Sequence, residues 1–87
     1  MSELKLAKVN KSLGLKSTLK NLYSGNLKEI IIASNYPSDK EKEIRILSEK
    51  YDVPVRKVET DSIKLGILCK KTFNVSVLGV IKEEWYN

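Results

Sequence analysis

Histidine is absent from this sequence of 87 residues, and cysteine occurs only once, at Cys69. Without histidine, zinc sites of the usual kind and acid–base catalysis by imidazole are excluded. A single thiol cannot form an internal disulfide, which fits a reducing compartment. Because Cys69 follows an apolar helical stretch and has no base beside it, we expect a buried side chain rather than a nucleophile. We therefore predict no metal, no cofactor and no enzymatic activity.

Long apolar runs are missing as well. No stretch approaches the roughly 20 apolar residues of a membrane-spanning helix. The first five residues have no apolar segment of the signal-peptide kind, so nothing predicts secretion. The apolar share of 41% fits a soluble globular protein, and the length fits one small domain over residues 1–87.

The charge balance is basic, with 16 lysine and arginine residues against 11 aspartate and glutamate residues. The net charge is +5 and the isoelectric point is near 9.4. Such a balance favours a polyanionic partner, with nucleic acid ahead of a membrane surface. The same excess also serves solubility, so charge alone leaves both interpretations open.

The most informative stretch is a predicted strand over residues 28–34. Its segment Ile30–Ala33 is continuously apolar, which is typical of an inner strand covered on both faces. A helix should follow, with Ser38 as N-cap and Glu41 at capping-box spacing. Asn35 then lies between the end of a central strand and a helix N-terminus, where ligands bind in open α/β sheets. Its amide offers the donor and acceptor that base edges require, although an asparagine here can also bond its own backbone.

The remaining elements follow from apolar spacing and turn residues. The sequence predicts an amphipathic helix over 3–13, a helix from Ser17 or Thr18 to Gly25, a helix over 38–51, a short edge strand around 53–58, a helix over 62–71 and a strand over 76–81. This order indicates an α/β fold with a mixed central sheet and helices on both faces. Within it, Glu41 and Arg45 can pair one helical turn apart, and Gly66 predicts a close packing contact.

Two further segments carry candidate binding residues. Gly14–Thr18 places a glycine, Lys16 and two hydroxyl groups at a helix N-terminus, a combination that attracts phosphate. It lacks the P-loop pattern, and it can equally be a helix C-cap, with Gly14 at positive φ, followed by an N-cap. In Phe73–Ser76, the phenylalanine is of a type usually found in a core, while Ser76 is small enough to admit a close backbone approach.

The Gly14–Thr18 turn, Ile30–Pro37 and the segment from Leu65-Gly66 to Phe73–Val77 follow one another in a known order and spacing. Over about residues 4–82 the chain resembles archaeal and eukaryotic large-subunit ribosomal proteins of the thirty-e type, within the superfamily of kink-turn RNA-binding proteins. The resemblance implies a three-layer α-β-α sandwich with about four strands. It also implies a sharply bent RNA ligand that contains tandem sheared G·A pairs.

The resemblance further implies an RNA surface made of three segments, in which Lys16 lies near phosphates or base edges and Asn35 bonds a guanine. The residues expected there are Gly14, Lys16, Ser17, Thr18, Asn35, Lys40, Phe73, Val75 and Ser76. Three positions depart from the usual pattern: Lys40 replaces an arginine, Asp39 brings negative charge beside the RNA, and Lys70 stands where glycine is common.

We therefore predict a cytoplasmic protein of the large ribosomal subunit that takes part in translation and binds a kink-turn of ribosomal RNA, and possibly its own transcript. We expect contacts with other ribosomal components and a monomer when the protein is free. Three alternatives are a stand-alone kink-turn-binding protein of a small ribonucleoprotein or regulatory RNA, a small enzyme that orients a phosphorylated substrate with Lys16 and Asn35, and a protein-interaction domain that uses its exposed helices.

Overall fold

The computed structural model describes residues 10–82 of the protein. These residues form four strands and three helices that alternate along the chain. In order they are β1 (Lys11–Leu13), α1 (Leu15–Tyr23), β2 (Leu27–Ile32), α2 (Ser38–Lys50), β3 (Val55–Lys57), α3 (Ser62–Leu68) and β4 (Val77–Ile81).

The strands form one mixed sheet in the order β1-β4-β2-β3. Strand β4 runs antiparallel to both of its neighbours, with Leu78 opposite Leu13 on one side and Ile31 on the other. Strands β2 and β3 are parallel, with Ile31 opposite Arg56. Strand β3 therefore lies at an edge, as predicted for a segment that follows Pro54.

Both faces of the sheet are covered by apolar clusters. Side chains alternate between the two faces of a strand, so neighbouring residues belong to different clusters. Ile31 points to the α3 side, into a cluster with Ala33, Leu65, Cys69, Val75, Leu78 and Val80. Ile30 and Ile32 point to the other side, into a cluster from α1, α2, the sheet and the α2–β3 connection: Leu22, Leu27, Ile44, Val53 and Val77. The predicted α/β sandwich and the inner strand covered on both faces are confirmed, and Cys69 is buried as expected.

The first predicted helix is wrong over its last part. Residues 1–9 lie outside the described residues, but Lys11–Leu13 forms strand β1. Its backbone pairs with Val80, Gly79 and Leu78 of β4. Leu13 has helical spacing, but pairing with β4 decides its conformation. Three residues beside the edge of β4 form more stabilising backbone hydrogen bonds in the sheet than they would at the frayed end of a helix.

The predicted helix starts also need correction. Helix α1 begins at Leu15 with Gly14 at the N-cap position, so neither Ser17 nor Thr18 caps it. Helix α2 has Pro37 at its N-cap position, and its first helical residue is Ser38, so the capping box does not form. Proline precedes that helix readily because its fixed φ leads into the first turn.

Two local predictions are confirmed. The Arg45 Nε donates to Glu41 Oε2 at 2.8 Å. A side chain at Gly66 would collide with the backbone carbonyl of Phe73, which shows why only glycine fits this helical position. Helix α3 is shorter than predicted and ends at Leu68, after which the chain turns back along the helix.

Candidate nucleic-acid interface

Three segments of the chain meet at one end of the sheet. Strands β1, β2 and β3 finish there and β4 begins there, because β4 is antiparallel to both of its neighbours. The Gly14 N–H donates to Val77 O at 2.8 Å, and the Ala33 N–H donates to Ser76 O at 2.9 Å. We call this end, with residues 14–17, 34–36 and 73–76, the loop end. Segments on the two sides of β4 are two strand spacings, about 10 Å, apart.

The first segment turns through Gly14, whose φ is +88°. A Cβ at this position would meet no atom within 4 Å, so the glycine is required by backbone conformation and not by space. Lys16 and Ser17 follow in the first turn of α1 and are exposed. No acidic residue accompanies them in that turn, so the helix N-terminus and the Lys16 ammonium add to the same positive potential.

Thr18 does not belong to this surface. Only 1% of the residue is exposed, and its hydroxyl lies 3.4 Å from that of Ser12, on the neighbouring strand β1. The predicted contact between Thr18 and a ligand is therefore corrected: the side chain joins α1 to the sheet. Its hydroxyl finds its partner inside the protein, as a buried polar group requires.

Asn35 is the main residue of the second segment, and its side-chain amide forms two hydrogen bonds with Ser62. Asn35 Oδ1 accepts from the Ser62 N–H at 3.0 Å, and Asn35 Nδ2 lies 3.1 Å from Ser62 Oγ as donor. Because a backbone N–H must meet an oxygen, these bonds fix which way the amide faces. One N–H of Nδ2 and one lone pair of Oδ1 remain, and Asn35 is exposed. The expected alternative of a bond to its own backbone is thus replaced by a bond across the fold.

Ser62 is the residue whose position in the site the sequence did not indicate. Asp61 is the N-cap of α3 and accepts from the Lys64 N–H at 2.9 Å. Besides its two bonds to Asn35, Ser62 accepts the Val75 N–H at 3.0 Å through its carbonyl. Only 6% of it is exposed. Ser62 therefore holds the second and third segments in fixed relation.

The side chains of the third segment differ in how far they are exposed. The Phe73 side chain is on the surface, with 56% of the residue exposed, while its backbone rests on Gly66. Val75 is 2% exposed and belongs to the core cluster on the α3 side, so its predicted contact with a ligand is corrected to a packing role. Ser76 is half-buried between the ends of β1 and β2.

Lys40 lies on the first turn of α2 and is exposed. It lines a small cavity of about 130 Å³ between α1 and α2 that also borders Leu15 and Tyr36 of the loop end. This cavity is lined by Leu15, Leu19, Tyr36, Lys40, Glu43, Ile44 and Leu47. Leu15 is the first residue of α1, so Lys40 faces the helix that carries Lys16.

The electrostatics on this side are mixed. Partial burial, followed by the nearby carboxylates of Glu43 and Asp39, raises the pKa of the Tyr36 hydroxyl above that of a free tyrosine. The hydroxyl therefore stays protonated at neutral pH and can donate a hydrogen bond. Glu43 and Asp39 make the α2 side of the loop end less attractive to a polyanion than the α1 side.

Charge is divided unequally along the described chain. Residues 10–28 and residues 62–82 each contain four lysines and no acidic residue. We call these two segments the acid-free region. Residues 29–61, the acid-bearing region, contain six basic and eight acidic residues. Because β1 and β4 are neighbours in the sheet, the acid-free segments adjoin in space and supply two of the three segments of the loop end.

This geometry defines a class of protein: an α/β sandwich that presents exposed polar loops from one end of its sheet, with a basic side to that end. Gly14, Lys16, Ser17, Asn35, Phe73 and Ser76 come together there, with Lys40 across the cavity. Among residues 10–82 no group of three potential metal ligands occurs, and no helix is long and apolar enough to cross a membrane.

The comparisons with known proteins agree with that class. The model of the Ribosomal protein L7Ae/L30e/S12e/Gadd45 family matches residues 1–87, and the chain belongs to this family. It is 38% identical over 71 residues to the large ribosomal subunit protein eL30 of Archaeoglobus fulgidus, covering 82% of this chain and 78% of that one. The eL30 of Sulfolobus acidocaldarius is 35% identical over 71 residues, covering 82% and 68%. The eL30B of Schizosaccharomyces pombe is 42% identical over 69 residues, covering 79% and 59%.

Among solved structures, the Giardia lamblia 15.5kD RNA binding protein superposes with a TM-score of 0.76 at 20% identity, covering 94% of this chain and 69% of that one. At that identity the likeness concerns the fold. The family resemblance predicted from the sequence is confirmed. Membership of a family whose matched members are ribosomal proteins also confirms the expectation that the chain is not an enzyme.

Proposed function

We propose that this chain is a protein of the large ribosomal subunit in the cytoplasm and that its loop end binds a kink-turn of ribosomal RNA. The relatives reported above are large-subunit ribosomal proteins, and one of the similar structures is the Giardia lamblia 15.5kD RNA binding protein. Other ribosomal components are its expected neighbours, and the free protein is proposed to be a monomer.

The observation that carries the proposal is the meeting of the Gly14 turn, Asn35 and Ser76 at one end of the sheet. Specific recognition of RNA takes place at splayed or non-helical sites, because the major groove of an A-form helix is closed to side chains. A kink-turn offers such base edges beside crowded phosphates. Three fixed loops, the outer two about 10 Å apart, form a preformed surface for such a site.

Asn35 is the residue proposed to read a base. Its amide is oriented by Ser62 before any ligand arrives, and it keeps one free N–H and one free lone pair. A sheared G·A pair exposes a guanine edge that has both donor and acceptor groups. Because the amide is already held, little conformational entropy is lost when RNA binds.

Lys16 and the acid-free region are proposed to supply the attraction to phosphate. Lys16 is exposed at the N-terminus of α1, where backbone N–H groups also point outward. This contribution depends on charge and not on sequence, so it should weaken steadily as salt increases. Phe73, exposed beside Ser76, is proposed to pack against a base of the same motif.

The experiment compares two RNAs of equal length, one with tandem sheared G·A pairs and one with those pairs converted to Watson–Crick pairs. Affinities are measured by titration at several salt concentrations, with the protein's mass checked by sedimentation. The proposal expects tighter binding to the sheared-pair RNA at every salt concentration. Equal binding to both RNAs, with the same salt slope, would leave only nonspecific attraction and would contradict it.

A further inference from the structure

Helix α3 ends in a backbone conformation that favours glycine, yet the residue at that position is Lys70. Its φ is +60°. The Lys70 N–H donates to Ile67 O at 2.9 Å and the Lys71 N–H donates to Gly66 O at 3.0 Å, which is the Schellman arrangement. A side chain on a left-handed residue crowds the following carbonyl, so Lys70 destabilises this turn relative to glycine.

Helix α1 ends in the same arrangement with glycine at the equivalent place. Gly25 has a φ of +75°, and its N–H donates to Leu22 O at 3.1 Å. Helix α2 also ends in this arrangement, with Asp52 at a φ of +56°, but aspartate adopts the left-handed conformation more readily than most residues because its short polar side chain can bond locally. Of the three residues in this position, lysine is therefore the least suited to it. A residue held in a disfavoured conformation is a reason to look for a function of its side chain.

The position of Lys70 relative to the loop end follows from the hydrogen bonds of the next residues. Lys71 is bonded to Gly66, and Val75 is bonded to Ser62 one helical turn earlier in α3. The chain after Lys70 therefore runs back along α3 for about 6 Å. It arrives at Ser62, the residue that holds Asn35. Lys70 thus follows Ser62, the anchor of the proposed base contact, by eight residues, about two helical turns or 12 Å along α3, and its long side chain is exposed.

The surroundings of Lys70 are positively charged. All residues from Lys70 to Asn74 are exposed, and residues 62–82 contain no acidic residue. Burial raises the pKa of the Cys69 thiol, while Lys11 and Lys71 act in the opposite direction. Lys70 and Lys71 are thus two consecutive exposed cations in a stretch without carboxylates.

We propose that Lys70 is a phosphate-binding residue and that the α3–β4 loop extends the RNA contact of the loop end along α3 to a further backbone phosphate. The inference rests on the proposed function, because the phosphate belongs to the same RNA. A lysine ammonium binds phosphate as a point charge, so Lys70 adds affinity and salt dependence without reading sequence.

The first test removes the charge and keeps the backbone. Lys70→Gln is compared with Lys42→Gln, an exposed lysine of α2 in the acid-bearing region, on the sheared-pair RNA and on its Watson–Crick control. For one phosphate contact, affinity at 0.1 M monovalent salt should fall about fivefold and the salt slope should decrease by about 0.7. Preference for the sheared-pair RNA should be unchanged, Lys42→Gln should have little effect, and Lys70→Arg should retain affinity.

The second test uses Lys70→Gly, which relieves the turn. This variant should unfold at a higher temperature than the parent and still bind the RNA more weakly. Parental affinity and slope for both Lys70→Gln and Lys70→Gly, in a protein that still prefers the sheared-pair RNA, would overturn the inference and leave the proposed function intact. Absence of that preference in the parent protein would instead overturn the proposed function, and the inference with it.

Discussion

The acid-free and acid-bearing regions share one sheet but use their charges in different ways. In the acid-bearing region Glu41 bonds both Arg45 and Lys57, and Arg56 lies 3.4 Å from Glu29. Three of the six positive side chains there are thus paired with carboxylates. In the acid-free region, residues 10–28 and 62–82 contain eight lysines and no aspartate or glutamate. The difference shows that a modest net charge is compatible with a region in which every charged residue is basic.

The ion pairs of the acid-bearing region lie at the open edge of the sheet. Strand β3 has no strand beyond it among the described residues. The Arg45 guanidinium is 3.4 Å from the Val55 carbonyl as donor, and Glu41, one turn earlier on α2, pairs with Lys57 of β3. Charged side chains over an edge strand discourage pairing with another chain. We interpret this network as protection of the edge, whereas the acid-free side is left open for a ligand.

Asn35 is the exception that joins the two regions. It belongs to the acid-bearing segment, but its amide is bonded to Ser62 of the acid-free segment. The proposed base contact therefore depends on a bond across the boundary between regions that differ in charge. Each of the variants below alters a residue of either the acid-free or the acid-bearing region.

The largest effect is expected from Gly66→Ala, on the acid-free side. The added methyl group would overlap the Phe73 carbonyl, which the backbone cannot easily move. We expect a loss of about 3 kcal/mol in the free energy of unfolding, the upper range for an overpacked site. Urea denaturation followed by circular dichroism measures it.

Ile67→Ala is the matched control on the same helix, because Ile67 is 64% exposed. It should change the free energy of unfolding by about 0.5 kcal/mol or less. Similar losses for the two variants would show that the loop does not depend on its contact with Gly66.

The next largest effect is expected from Asn35→Ala. It removes the proposed base contact and leaves the Ser62 N–H without its partner. Preference for sheared-pair RNA should fall by about 1–3 kcal/mol, and stability should fall by about 1–3 kcal/mol as well. Competition binding and thermal unfolding measure the two effects separately.

Asn35→Asp separates binding from folding. An aspartate can still accept from both the Ser62 N–H and its hydroxyl, and its charge suits the N-terminus of α3. It cannot donate to a base, and it repels phosphate. We expect near-parental stability with lost RNA preference, whereas retained preference would remove Asn35 from base recognition.

Lys16→Ala should have a smaller effect, confined to binding. Loss of one phosphate contact should weaken RNA binding about fivefold at 0.1 M salt and lower the salt slope by about 0.7. Lys42→Ala on the acid-bearing side serves as control. Equal slopes for these two variants would mean that the acid-free region has no special part in binding.

The smallest effect concerns pH and the acid-bearing region. Hydrogen bonds from Arg45, then Lys57, lower the pKa of Glu41 below that of a free glutamate. A lowered pKa in the folded state stabilises the protein above the ordinary glutamate pKa of about 4.3. This stabilisation is lost as the pH falls through the lowered value.

Glu41→Gln should therefore reduce the dependence of the unfolding free energy on pH below about 4.3. RNA affinity at neutral pH should remain close to parental. An unchanged pH dependence would show that the Glu41 network contributes nothing to folding.

Much of the fold could be predicted from the sequence, for reasons visible in single residues. The apolar run Ile30–Ala33 predicts an inner strand because both of its faces are buried. Strand β1 could not be predicted in this way. Its three residues are too short to show a period, and Leu13 has the spacing of a preceding helical pattern. Only pairing with a distant strand, β4, decides its conformation.

The types of residue in the candidate site could be predicted from the sequence, but the roles of several of them could not. Asn35 and Lys16 are polar residues at element ends, which a sequence shows directly. The burial of Thr18 and Val75 depends on which way a helix and a loop face the sheet. The bond between Asn35 and Ser62 joins residues 27 positions apart, and neither residue has a local pattern that indicates the other.

The most direct measurement of the central claim is amide chemical-shift mapping of the protein during titration with sheared-pair RNA. The account predicts the largest changes at Gly14–Ser17, at Asn35 and from Lys70 to Ser76, with little change at Ile46 or Asp52 on α2 and its end. Changes concentrated on α2 and β3, with the loop end unaffected, would contradict it.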